Sequence, residues 1–550
     1  MNRNGRSLLP ILVVLLLAGG IPARRASCGD WPQWGGSSAK NNAAGPGKLP
    51  TTWNVGRFER KTKRWLSESS ENMLWVKRIG SQSYGTPVIV GNNVFCAGNN
   101  GAGRIARFAA DIDLGCLFCF DRKTGTFRWQ LSREKLKAGS EVDWPEQGIC
   151  SVPLVEGRRL WVVTNRGEVA CLDTEGFHDG KNDGPFTAEP STKKDEADVV
   201  WYFDMMGQLG TVQHNMASCS VAAVGDLLLV CTANGANDNG EVAAPEAPSF
   251  IALDKKTGKL AWADASPGKN ILHGQWGSPA VAVIEGVPQA IFPGGDGWLY
   301  SFLAKPSANK KPKLLWKFDC NPKDSVWKPG GQGNRNNIIA TPVVYDGLVY
   351  IATGQDPENG GAQADLWCID PRKRGDVSRQ LVVDKNGKPV PPRRKRAIDP
   401  EAGETARDNP NSAAVWHYQG HDDDGDGRYD YKEKLNCSLS MVTIASKGDE
   451  RPLLVIPDLT GFVHCLDAKT GKFHWTYDMM AAVWGSPLLA DGKIYIGNED
   501  GDMVVFELSS KLKKLAANNM RDAVYGTAVA VDGVIYVSTR TRVMAIGNSK

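Results

Sequence analysis

An excess of charge of either sign is missing from this chain. Its 550 residues carry 65 Lys and Arg against 61 Asp and Glu, a formal net charge of +4. So even a balance gives no electrostatic footprint for nucleic acid. Long apolar runs are missing too: beyond the first residues, no segment holds 18 consecutive apolar residues, which excludes a transmembrane helix there. There is no G-x-S-x-G nucleophile elbow, no G-x-x-x-x-G-K-[ST] phosphate loop and no H-E-x-x-H zinc helix. The common hydrolase, nucleotide and metalloprotease signatures are therefore out. Aromatic residues make up only 8%, yet Trp alone numbers 18. Trp is the favoured aromatic, as a packing residue used once per repeat would be.

What the chain does have begins with an export signal. Arg3 and Arg6 precede an apolar stretch from Leu8 to Ala18, broken only by Pro10, and Ile21-Pro22-Ala23 offers a cleavage site. Residues 1–23 read as a signal peptide too short to span. The mature chain is expected outside the cytoplasm, in the periplasm or an equivalent space. Arg24-Arg25 follows the apolar run, so it is no twin-Arg signal. Arg25 also stands where a lipoprotein site needs an aliphatic residue, which argues against a lipid anchor at Cys28.

Twelve cysteines in an exported chain would normally suggest disulfides. Their placement argues otherwise. Cys119, Cys171, Cys368 and Cys465 share one slot, each followed by an apolar residue and Asp, and Ala252 fills the same slot in another copy. A slot open to Cys and Ala alike is small and buried, which favours packed thiols. In a strand, Cys116 and Cys119 point to opposite faces, which weakens a redox or zinc reading of that pair.

The repeat itself is sharpest at Asp467-Ala468-Lys469-Thr470-Gly471-Lys472-Phe473-His474-Trp475. It recurs from Asp121 to Trp129 and from Asp254 to Trp262. D-x-K-T-G-x-x-x-W is a hairpin signal: Asp and Thr bond local backbone, Gly takes positive φ, and the outgoing strand ends in Trp. Upstream of each turn lies a short strand opened by a small residue and Ser or Thr, as at Gly85-Thr86-Pro87, Ser151-Val152-Pro153, Gly277-Ser278-Pro279, Ala340-Thr341-Pro342 and Gly485-Ser486-Pro487. Three further relatives, at Ser220, Ser440 and Thr527, complete eight copies. Four short strands per copy predict an all-β fold, an eight-bladed β-propeller of four-stranded antiparallel blades. The last copy runs out after three strands, near Ile546. The orphan strand from Asn72 to Arg78 is expected to supply its outer strand and close the ring, removing the sheet edges. This gives a signal peptide at 1–23, a surface strap at 24–71 and a propeller at 72–548. Long insertions are expected at 177–199 and 355–436. Pro391-Pro392-Arg393-Arg394-Lys395-Arg396, in the second insertion, reads as a solvated loop before it reads as a polyanion site.

The D-x-x-T-G-x-x-x-W turn and its strands resemble the PQQ-like repeat, which occurs in quinoprotein alcohol dehydrogenases and in the outer-membrane assembly factor BamB. Together with Asp30-Trp31-Pro32-Gln33-Trp34, the layout is most similar to exported PQQ-like propellers of planctomycete-type bacteria. The resemblance implies that Trp and Gly of the turn dock blade to blade. It also implies a site on the axis, at the residues just before each Ser or Thr slot. These are Tyr84; His214; His273, Gln275 and Trp276; Arg335 and Asn336; Trp484; and Tyr525, with Gln82, Glu146, Gln147, Asn215 and Asn337 beside them. Such a set suits a protein partner or a small flat, polar or anionic ligand, with Trp and Tyr as faces and Arg as a fork. The competing reading is that these residues fill and hydrogen-bond the channel mouth. The resembling dehydrogenases hold PQQ with a stacking Trp, an Arg, a Ca²⁺ and an Asp base, and carry a disulfide between adjacent cysteines. This chain has no Cys-Cys pair and no convincing Asp on the rim. A binding or scaffolding module is the leading expectation, and a PQQ-dependent oxidoreductase of an alcohol or sugar is the alternative.

A second candidate lies in the longer insertion. Between Asp422 and Glu433, Asp422, Asp424 and Asp426 stand at positions 1, 3 and 5 of a calcium loop. Gly427 takes the sharp turn, Arg428 offers a carbonyl, and Asp430 and Glu433 complete the set. No helix is expected before it, so the loop reads as a stabilising clip. His417 and His421 flank it without converging on a zinc.

Overall fold

The D-x-K-T-G turns close as their residue types demand. Asp121 Oδ1 accepts from the Lys123 and Thr124 amides at 3.1 and 2.8 Å and from the Thr124 hydroxyl at 2.8 Å. Asp254 and Asp467 repeat the three bonds. The Asp-Gly pairs at 346–347, 491–492 and 532–533 have positive φ at both residues, the requirement of a two-residue type I′ hairpin.

In the computed structural model, which describes residues 29–548 apart from 138, 140, 329–331 and 356–362, these hairpins build eight four-stranded antiparallel blades around one axis. Blade 1 comprises Val88–Val90, Asn93–Asn99, Leu114–Asp121 and Phe127–Glu134 from the axis outward. Blades 2 to 7 follow in chain order. Blade 8 comprises Val529–Val531, Val534–Ser538 and Arg542–Gly547, and takes Met73–Arg78 as its outer strand, Arg78 opposite Arg542. The expected closure is thus present. The export signal and Cys28 lie outside the described residues. Within 355–436, Leu366–Ile369 and Ala414–Tyr418 are the third and fourth strands of blade 5. Between them, Gly375–Asp376 adds a parallel fifth strand to blade 4, and Gln380–Val383 pairs with Thr405–Asp408 as a satellite hairpin. The basic run clips this excursion down: Arg393 pairs with Glu404, and Arg394 donates to the carbonyls of Ile271 and Leu272.

The core lies between blades, and the outer-strand Trp organises it. Trp75 of blade 8 donates Nε1 to the Arg122 carbonyl of blade 1 at 2.9 Å, and Trp416 of blade 5 donates to Ala468 of blade 6 at 3.1 Å. Each ring lies against the next blade's turn glycine. A Cβ on Gly125 would come within 2.7 Å of Trp75, and one on Gly471 within 2.8 Å of Trp416. Inside its own blade each Trp faces the small slot. Cys119 pairs in register with Trp129, Cys171 with Trp201, Ala252 with Trp262, Cys368 with Trp416 and Cys465 with Trp475. A small residue there leaves room for the indole opposite. The described cysteines form no disulfide, and all but Cys150 are buried.

Nearer the axis, the Ser and Thr slots form a belt. Hydroxyls reach back to amides of the preceding blade: Ser220 to Val152, Ser278 to Ser220, Ser486 to Met441, Thr527 to Ser486 and Thr86 to Thr527, all at 2.8–3.0 Å. The segment expected on the surface lies beneath this belt and plugs the channel. Trp31 exchanges backbone bonds with Ile89 of blade 1, and the Pro32 carbonyl accepts from Val155 of blade 2. Ser38 bonds Ala223 and Val281, Ala39 bonds Val344, and the Asn41 side chain bonds Ile444 through both its atoms. The Asn42 side chain donates to Pro487 and Ala528, of blades 7 and 8. Residues 31–42 thus touch all eight blades, because a converging set of inner strands leaves unpaired groups that only an axial segment can satisfy.

Lys40 sits in this plug, fully buried, donating to the Val221 carbonyl at 3.1 Å and to Gln33 at 3.4 Å. Burial pushes its amine down to about 7, against a smaller opposing pull from Cys219. Burial also disfavours ionisation of Cys219, but hydrogen bonds from Cys231 and the Lys40 charge outweigh it and hold that thiol below its ordinary value. Between about 7 and the ordinary lysine range the unfolded chain binds more protons, so stability rises with pH across that window. Lys40→Met is expected to raise the melting temperature at pH 7 and flatten its rise toward pH 10, measured by calorimetry. A second test isolates the docking contact. Gly471 and Gly492 have φ of +71° and +67°, but only Gly471 faces an indole. Gly471→Ala should cost about 1–3 kcal/mol more than Gly492→Ala in denaturant unfolding, the usual penalty of overpacking.

Candidate functional site

The loops that lead into each blade's first strand rise around the axis and enclose a funnel of about 360 Å³. Its floor is Trp34 of the plug, whose Nε1 donates to Thr341 Oγ1 at 3.2 Å. The hydroxyl belt rings that floor: Thr86, Ser220, Ser278, Thr341 and Thr527 all face the cavity. The walls are aromatic. Tyr84, Trp484 and Tyr525, on blades 1, 7 and 8, form one cluster with ring centroids 5.0–5.8 Å apart. Trp276 faces it from blade 4, and Trp144 lies on the loop between blades 1 and 2.

The polar edges of these rings are tied back into the protein. Glu499 accepts from Trp484 Nε1 at 3.2 Å with one oxygen and from the Tyr525 hydroxyl at 3.1 Å with the other. Gln82 donates to the Tyr84 hydroxyl at 2.9 Å, and Trp276 Nε1 donates to the His214 carbonyl at 3.1 Å. Faces are what remain for a ligand. Burial raises the Tyr84 phenol to about 12 and also raises Tyr525, so both stay neutral. Of the described residues that line the funnel, none is Asp, Glu, Lys, Arg or His.

Of the residues named from the sequence, Tyr84, Trp276, Trp484 and Tyr525 line this one cavity, with Gln147 and Asn215 beside them. The others stand elsewhere. His214 and His273 meet edge to face beside Trp276, with centroids 4.2 Å apart, and burial lowers His273 below its ordinary value. Gln275 bonds Asn234, Ser249 and the Gly295 amide, and so braces blade loops. Asn336 bonds the Gln363 carbonyl at 2.9 Å and the Asn321 side chain at 2.7 Å. Arg335 is buried and turned away from the axis, 3.1 Å from Ser325 Oγ and 3.5 Å from Asp319, which also pairs with Lys323. Its fork does not reach the funnel. Trp34 and Trp144 were not anticipated at the site. Trp34 lies within a conspicuous Trp-rich motif, but periodicity could not place a segment outside the repeats.

The acidic loop stands apart on the blade 5 excursion. Asp422, Asp424 and Asp426 carboxylate oxygens lie within 4.8 Å of one another. The loop is shaped by its own acids: Asp422 accepts from the Gly425 and Gly427 amides at 2.7 and 2.9 Å, and Glu433 accepts from Asp423 and Asp430 at 2.9 and 2.8 Å. Arg428 is exposed and bonds Asp426 Oδ1 through its amide at 2.8 Å. These hydrogen bonds, first that from Gly427, lower the Asp422 carboxyl. A strand, Ala414–Tyr418, leads into the loop. His417 is spent on Asp365 at 2.8 Å and on a stack with Trp367, while His421 stacks on Phe473.

Among the described residues no helix is long and apolar enough to cross a membrane. A family model for the outer membrane protein assembly factor BamB matches residues 405–546, less than half of the chain. The dehydrogenase subunit of the quinone alcohol dehydrogenase of Gluconacetobacter polyoxogenes is 28% identical over 265 residues, 44% of this chain and 32% of that protein. The Acetobacter aceti counterpart is 28% identical over 257 residues, 41% and 30% of the two chains. The chain thus spans about a third of the length of these curated relatives. Among solved structures, BamB from Moraxella catarrhalis is similar with a TM-score of 0.46 and 14% identity, over 86% of this chain and 99% of that one. A europium-containing methanol dehydrogenase gives 0.42 and 12%, over 95% and 98%. At those identities and scores the two structures carry no functional weight. The repeats and the ring they build give this chain the fold of a PQQ-like β-propeller, and its matched stretches are similar to the BamB family model and to quinone alcohol dehydrogenase subunits.

Proposed function

We propose that this protein is an exported binding module whose working surface is the axial funnel, and that the funnel takes an uncharged, partly apolar ligand. The lining carries this reading. Fixed aromatic faces and neutral hydroxyls and amides surround a dead-end cavity of about 360 Å³, the mixture that ligand pockets use. A charged group brought into it would lose water without gaining a partner charge. Export rests on the signal at residues 1–23, and the BamB description of the matching family agrees with a place near an outer membrane.

The relatives' name brings PQQ into question. That quinone carries carboxylates, and a site for it needs a cationic fork or a metal against them. Arg335 is bound to Ser325 and Asp319 instead, and the described lining offers no carboxylate for a metal. The residues present do not fit the quinone, and no redox step is assigned. PQQ with Ca²⁺ added to the purified protein is expected to leave no bound quinone absorbance, no melting shift beyond that of Ca²⁺ alone, and no dye-linked alcohol oxidation. All three together would replace this reading with the oxidoreductase one.

We further propose that the 422–433 loop holds Ca²⁺ as a clip on the blade 5 excursion. Its donors are hard oxygens at the required spacing. The loop mouth is tied by the His421 amide, which donates to the Glu433 carbonyl at 2.9 Å. Ca²⁺ should raise the melting temperature of the native chain and not that of an Asp422→Ala/Glu433→Ala variant. A variant that keeps the full Ca²⁺ response would remove this site.

A further inference from the structure

Resting on the funnel as the working surface, we propose that its ligand is an uncharged carbohydrate, seated with one pyranose ring against the aromatic wall and its hydroxyls on the Ser/Thr belt. Three observations converge. The first is the wall. Tyr84, Trp484 and Tyr525 meet at interplanar angles of 26°, 49° and 73°. Rings so inclined share no common plane and form no parallel slot, so a flat aromatic ligand could cover only one ring at a time. A puckered ring, with C–H bonds projecting from its faces, can meet several. The NH and OH donors of Trp484 and Tyr525 are already committed to Glu499 and that of Trp276 to the His214 carbonyl, while the Tyr84 hydroxyl accepts from Gln82.

The second is the floor. Thr86, Ser220 and Thr527 each accept a backbone amide through the hydroxyl oxygen, and Thr341 accepts the Trp34 indole. None of these four hydroxyls donates to another of the described residues. A hydroxyl so placed keeps one proton to give and a lone pair to share. Four of them around one floor match a ligand rich in hydroxyls, which accepts and donates in the same directions. An apolar ligand would bury them with their protons unplaced, at about 1–3 kcal/mol each.

The third is charge. With no Asp, Glu, Lys, Arg or His among the described lining residues, and with Tyr84 and Tyr525 neutral, a uronate or a sugar phosphate would be desolvated without a counter-charge. At about 360 Å³ the cavity is at the small end of ligand pockets and suits about one or two rings.

The test is saturation-transfer NMR and calorimetry on the full chain with neutral methyl hexosides, pentosides and disaccharides. Matched uronic acids form a second arm, and the neutral apolar dye Nile red a third. At least one neutral glycoside should bind saturably, with the matched uronate at least ~10-fold weaker. Trp276→Ala should weaken it by about tenfold, the loss of one aromatic anchor, in a chain that still melts in one cooperative transition. Nile red bound in the funnel and lost in Trp276→Ala, with no glycoside binding, would overturn the carbohydrate assignment and leave the binding-module reading in place. No binding of dye or glycoside would overturn both. Equal binding of uronate and neutral sugar, or binding untouched by Trp276→Ala, would also overturn the assignment.

Discussion

An indole laid against a glycine of the next blade is the contact on which the ring depends. It fixes three things at once. The Trp nitrogen finds a carbonyl in the neighbouring turn, the ring face covers a backbone that no Cβ may occupy, and the opposite strand must carry a small residue to admit the ring. Two blades so joined have one relative position. Recurring where Trp75, Trp129, Trp201 and Trp416 meet a glycine of the next blade, the joint helps set the curvature that lets Met73–Arg78 reach the last blade. Cysteine is prominent here for its size and not for its chemistry, and the described cysteines form no disulfide.

The ring then dictates the site. Inner strands of eight blades converge with hydroxyls and amides that have no neighbour inside their own sheets. Part of that need is met between blades, by the belt. The rest is met by residues 31–42, which seal the channel beneath it. A propeller pore becomes a cup, and the cup's floor is an indole. The loops that lead into blades 2 to 6 are long, and those into blades 7, 8 and 1 are short. The aromatic trio thus stands on the low side of the rim, facing Trp276.

Most of the fold was legible because it is periodic. A turn such as Asp467–Gly471 announces its geometry in five letters, and its copies count the blades. Strand closure followed from a missing strand at one end and a spare one at the other. The site was legible only in part, for a physical reason. Residues before each Ser/Thr slot must lie near the axis, but position along a loop does not fix the direction of a side chain. Tyr84, Trp276, Trp484 and Tyr525 point inward. Arg335 had a buried carboxylate within reach and turned to it, and Asn336 and Gln275 were drawn into bracing the loops. The plug was invisible to repeat analysis because it pairs with no copy of itself. Its polar Asn41 and Asn42 look like solvent-facing residues until the unpaired groups of the inner strands are known.

The placement of the plug also has a temporal side. Residues 31–42 emerge from the ribosome before any blade, yet Asn42 bonds Ala528, 486 residues later in the chain. The strand at 73–78 waits as long for its partner. Both must stay extended and uncommitted while the blades form in turn, and then join last. Such distant pairings are slow to find and leave edges open meanwhile. The chain can therefore finish folding only when its last blade is made. If the protein is exported unfolded, the completion of the ring, and with it the floor of the funnel, belongs to the compartment where it arrives.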